Sequence, residues 1–192
     1  MVKAAQGVAG RPARLAWPNE LRQTLGMADK EFLEPGFEPL EEREALTRWL
    51  DYHRGVLVWK LNGVRDEDLR RPMVPTGTSL LGLVKHLAYV ERWWFQEVFA
   101  GRAFGYPDGY DPESQFRPDA RESPTDLIAF YRDMSQKSRV ITAAAASLDE
   151  VARRDRPKPT LRWILDHMIE ETARHNGHAD ILRELIDGSV GD

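Results

Sequence analysis

The chain has 192 residues, enough for one domain with a substantial core and few for two. Its 27 lysines and arginines face 31 acidic residues, a net charge of −4 with no basic run, which excludes the electrostatic footprint of a nucleic-acid binder. Cysteine is absent, so disulfides, thiolate metal sites and a thiol nucleophile of the chain's own are excluded, and any sulfur chemistry needs an external thiol.

The opening MVKAAQGVAGRPARLAWPNE lacks the apolar stretch of a secretory signal. No segment approaches the roughly 18 to 20 apolar residues of a membrane span. The expectation is a cytoplasmic protein with neither membrane nor nucleic acid as partner. Residues 1–37 are rich in Gly, Pro and Ala and weakly patterned, and EPGF at 34–37 acts as a breaker. They read as an N-terminal arm, with the folded domain over 38–192.

Four helices are predicted in that domain. The first, about 39 to 62, carries Leu46, Leu50, His53, Leu57 and Leu61 at spacings of three and four, with Gly63 as its stop. The second, about 78 to 100, opens on Thr78 or Ser79 as cap, is the most apolar, and closes at Gly101. Residues 101–123 are rich in Gly, Asp and Pro and make a long connection, either a plain crossover or a lid carrying Tyr106 and Tyr110. The third helix starts at Ser123 and Pro124 and runs through the alanines to about 149. The fourth spans about 160 to 187, from Thr160 to the stop at Gly188. Short connections make antiparallel neighbours and a long one can leave two helices parallel. The expected architecture is therefore all-α: a four-helix bundle ordered up-down-down-up, with the crossover between helices two and three.

The fourth helix holds an anomaly. With His167 at zero and about 100° per residue, Ile164, Met168, Ala179, Leu182 and Ile186 centre the apolar face near 80°. On that scale His175 falls at about 80° and Glu171 at about 40°, both inside the apolar face, while His178 and His167 lie on its flank and Arg174 beyond it. A carboxylate and an imidazole in a bundle core cost several kcal/mol unless they are paired or bind a metal. Counting about 1.5 Å per residue, His53, His86, His175 and His178 fall within one layer, about 12 to 16 Å from a common end. A lone core-facing histidine is more often hydrogen-bonded to a carbonyl than bound to metal. His86, Glu171 and His175 together instead read as a metal-ligand set. His178 is a fourth ligand, a supporting donor or a substrate contact, His167 is structural, and Trp93 and Trp94 are core or interface.

TSLLGLVKHLAYVERWWF around His86, followed by LRWILDHMIEETARHNGHADILRE, resembles the DinB/YfiT-like superfamily of metal-binding four-helix bundles. Within it the chain is similar to an actinobacterial branch related to mycothiol-dependent maleylpyruvate isomerases, over about residues 38–188. The resemblance implies a divalent metal held by His86, Glu171 and His175. Much of the superfamily uses three histidines; Glu171 departs from that and matches the thiol-dependent isomerases. Those isomerases carry a further C-terminal domain that contributes to catalysis, so isomerase activity is not carried over to a chain ending at Asp192.

Two imidazoles and a carboxylate are the ligand count of a catalytic zinc site, and nickel, manganese or iron accept the same donors. The expected function is a metal-dependent enzyme that activates a low-molecular-weight thiol such as mycothiol, or water, against a small electrophile, as transferase, isomerase or hydrolase. His178 and His53 would act in acid/base or supporting roles. The alternative is a non-catalytic bundle that binds metal or sequesters a ligand. A homodimer is expected under either reading, the superfamily commonly being dimeric.

Overall fold

A computed structural model describes residues 34–105 and 111–190. The expected arm falls almost wholly outside them, as do Tyr106 and Tyr110 of the crossover. The chain runs through α1 (Glu42–Trp59), a short α2 (Asp66–Arg70) and α3 (Leu80–Glu91), which a π-helical stretch (Arg92–Phe99) continues without a break. A 3-10 turn (Pro112–Phe116), α4 (Pro124–Ala144) and α5 (Leu161–Asp187) complete the order. The fold is all-helical; among the described residues the one β feature is an isolated bridge between Val151 and Thr160.

Cap chemistry sets the helix starts. Ser79, Ser123 and Thr160 each accept a hydrogen bond from the amide three residues on, those of Gly82 (3.1 Å), Asp126 (3.1 Å) and Trp163 (3.3 Å). At the far end of α5, Gly188 takes φ +76° and donates its amide to the Glu184 carbonyl, the left-handed stop that favours glycine. α4 stops at Ala144, short of the 149 expected from its alanine run. Arg43 of α1 donates to the Ala145 carbonyl at 2.9 Å, and Leu148 and Ala152 are drawn into the core, so tertiary contacts override alanine's helix propensity.

α1 packs along α5 and α3 along α4, with α3 also meeting α5. Apolar side chains form two clusters. One gathers Leu57, Leu61, the α3 residues Leu80 to Ala88, Leu127, Met134, Ala179 and Leu182. The other gathers Leu50, Phe95, Val98, Ile141 and the α5 residues Leu161 to Met168. Between them each long helix contributes buried polar groups: Arg54 from α1, Glu91 from α3, Ser135 and Ser138 from α4, and Glu171, Thr172, His175 and Asn176 from α5. The interior is therefore two apolar layers with a polar stratum between them.

Two short elements escaped the sequence reading. The 3-10 turn docks on α3, where Gly82 leaves room for it: a Cβ there would lie 2.3 Å from the Phe116 carbonyl oxygen. Buried Lys85 secures the same segment through the Arg117 carbonyl (3.1 Å) and Glu122 (2.7 Å). α2 joins in, Arg70 donating to the carbonyls of Asp119 (3.2 Å) and Glu122 (2.5 Å).

Candidate metal centre

Three helical turns build the site. His86 stands on α3, one turn beyond the glycine on which the crossover rests, and Glu171 and His175 stand one turn apart on α5. Glu171 Oε1 lies 3.2 Å from His86 Nε2 and 3.1 Å from His175 Nε2. One donor atom from each of the three residues lies within 4.8 Å of the other two. Ligands on a tetrahedral zinc ion at about 2.0 to 2.1 Å stand roughly 3.4 Å apart, so small side-chain adjustments suffice for shared coordination. Glu171 and His175 are each 8 % exposed and His86 is partly buried.

Both imidazoles are neutral at pH 7. Burial is the largest cause for each, pushing His86 and His175 down to about 4. The neighbouring His175 lowers His86 further, while Gln115 and Glu113 of the crossover pull it back up. Arg174 adds to the lowering of His175 and Glu170 opposes it. Neutral imidazoles keep their lone pairs available, which a cation requires of them. The Nδ1 of His86 is buried and makes no hydrogen bond.

Around this set the structure separates residues that matching height along the helices grouped together. His178 is exposed at the rim, its Nδ1 3.3 Å from His175 Nδ1, so it meets the face of His175 turned away from Glu171. Burial, then His175 and Arg174, lower its pKa as well. His53 shares the layer without joining the cluster: its ring packs on Trp49 and Tyr52 of its own helix, and its carbonyl accepts a hydrogen bond from Asn176 at 3.0 Å. His167 stacks on Trp163 and meets Trp94 edge-on, an aromatic group separate from the site.

Sequence reading missed two neighbours. Phe116 of the 3-10 turn stacks on His86 with ring centroids 3.9 Å apart, forming one wall of the site. Arg174 pairs with Glu171 Oε2 and also reaches Glu170 at 3.4 Å. The signal for Phe116 was Gly82, a glycine inside an otherwise unbroken helix; Arg174 had its i, i+3 spacing from Glu171.

Among the described residues no helix is long and apolar enough to cross a membrane. No curated protein matches the chain by sequence. A family model does, over residues 45–188, a span that contains the whole site and three-quarters of the chain. The chain belongs to the mycothiol-S-transferase family, a DinB-like family.

Proposed function

We propose that the protein is a metal-dependent S-transferase that joins a low-molecular-weight thiol, mycothiol or a close analogue, to a small electrophile. The observation that carries this reading is the convergence of His86, Glu171 and His175 in a chain of this family. The donor set fits a divalent ion: two neutral imidazoles and one carboxylate leave coordination positions open. Zinc is the first choice, with nickel, manganese and iron accepting the same donors. The chemistry such an ion supplies is the lowering of a bound thiol's pKa, so that the sulfur is anionic at neutral pH.

The chain's own residues do the rest. His86, Glu171 and His175 hold the site in the seam between α3 and α5, and Phe116 covers one side of it against water. His178 steadies His175 through the Nδ1 contact and, being neutral and exposed, can receive a proton and pass it to solvent. In the reaction the sulfur forms a bond to the electrophilic carbon, the bond from that carbon to its leaving group breaks, and the thiol proton leaves to solvent. His53, stacked within α1, is left with a structural role. The same reading takes residues 38–192 as a four-helix bundle ordered up-down-down-up behind an arm of 1–37, dimeric and cytoplasmic.

The test is metal analysis of protein purified without a histidine tag, followed by turnover of mycothiol with an aryl chloride. Near-stoichiometric metal and conjugation that disappears on chelation and in His175→Ala are expected. Turnover no faster than the metal-free control rejects the transferase; light scattering at a monomer mass rejects the dimer.

A further inference from the structure

Glu171 divides its two oxygens between different partners. Oε1 faces the Nε2 atoms of His86 and His175, at 3.2 and 3.1 Å, whereas Oε2 is paired with the Arg174 guanidinium. A carboxylate free to turn about its last bond can offer a cation either oxygen, or both; one held by a charge-assisted guanidinium contact cannot. Arg174 is itself held, its Nη1 lying 3.4 Å from Glu170 Oε1, and its side chain is 51 % exposed, so it reaches in from the rim. Spacings of i, i+3 and i, i+4 on α5 put both acidic residues within its reach. By charge alone a guanidinium beside a cation site weakens cation binding, so its place there calls for a compensating gain.

We propose that Arg174 is a positioning residue of the metal centre: it retains Oε2, so that Glu171 gives the ion one oxygen and leaves a coordination position for the substrate. This rests on the reading of His86, Glu171 and His175 as ligands. Outer partners that orient ligating groups typically contribute 10- to 100-fold in metal affinity. The sign of the effect is diagnostic, because loss of a nearby positive charge alone would tighten binding.

Co²⁺ serves as the probe, with affinity read by chelator competition and coordination by the visible absorption spectrum. Arg174→Ala is expected to weaken Co²⁺ binding by about 10- to 100-fold, because the ion must then order the Glu171 carboxylate itself, and to alter the spectrum. Arg174→Lys, which keeps a charged donor, recovers most of both. Binding by Arg174→Ala as tight as wild type or tighter, with an unchanged spectrum, overturns the proposal while the metal site stands, provided that His175→Ala abolishes binding. A wild-type chain that takes up no Co²⁺ overturns both. Circular dichroism verifies the fold of each variant.

Discussion

Glu91 and Glu171 are both buried in the polar stratum of this protein, and their surroundings differ. Glu91 is fully buried, and both its oxygens are met by Arg54, Nε to Oε1 and Nη2 to Oε2, each at 2.7 Å. Asp51 takes a third Arg54 nitrogen at 2.8 Å and receives Arg139 at 2.9 Å, closing the group on itself. Glu171 instead turns one oxygen to two neutral imidazoles that bring no charge to balance it. A bidentate guanidinium pair satisfies itself and fixes how α1 lies against α3. Convergent lone pairs around a half-compensated carboxylate gain most from a cation. Buried polarity in one layer thus takes two forms, and geometry rather than residue type tells them apart.

The contrast is open to breakage. Glu91→Ala should be the costliest change, about 3 to 5 kcal/mol in denaturant unfolding, because it leaves Nε and Nη2 of a buried guanidinium without their partner. Replacing Arg54 and Glu91 together by Met and Leu should recover most of that loss. Glu171→Ala in metal-free protein should cost no more than about 1 kcal/mol, since its cation, Arg174, sits half in solvent. Comparable losses at the two positions would erase the distinction.

Metal should sharpen it. At a free concentration 100 times Kd a bound ion adds about 2.7 kcal/mol to the stability of wild type. That increment should vanish in His86→Ala and His175→Ala and persist in His53→Ala, as a thermal-shift series with and without chelator would reveal.

The largest part of the pH dependence arises from the two most strongly depressed histidines, His86 and His175. Unfolded, each takes up a proton near 6.5; folded, each does so only near 4. Between those values the unfolded chain binds more protons, so stability of the metal-free protein falls as pH drops from 6.5 towards 4. The slope is at most about 1.4 kcal/mol per pH unit for each imidazole. His175→Phe should flatten it in urea titrations run across that window.

The last expected effect is at the crossover. Gly82→Ala places a Cβ against the Phe116 carbonyl, and overpacking of about 1 to 3 kcal/mol is partly offset by about 1 kcal/mol of gained helix propensity. Because the clash is with backbone and not with a flexible side-chain tip, the net loss should be about 2 kcal/mol, with faster hydrogen exchange over 111–117 as the 3-10 turn lifts from His86.

Much of this could be read without coordinates. Ser79, Ser123, Thr160 and Gly188 mark helix ends by local hydrogen bonding and φ, which neighbouring residues decide. Periodicity placed Glu171 and His175 inside, His178 on the flank and Arg174 beyond it, because the angle around a helix is a property of sequence spacing. Matching heights put His53 in the same layer as His86, but height along a rod says nothing of its rotation against a neighbour. The His53 ring turned out to face Trp49 and Tyr52.

The sequence by itself therefore determined the long helices, their apolar faces and which residues could hold a metal, since these depend on contacts within a few positions. Only the tertiary structure decided that α4 ends where Arg43 captures a carbonyl, that Phe116 lies on His86, and that one oxygen of Glu171 belongs to Arg174 while the other meets two imidazoles. The first two join residues about thirty to a hundred positions apart, and the third is a choice between two oxygens of one side chain, settled by packing that no local spacing encodes.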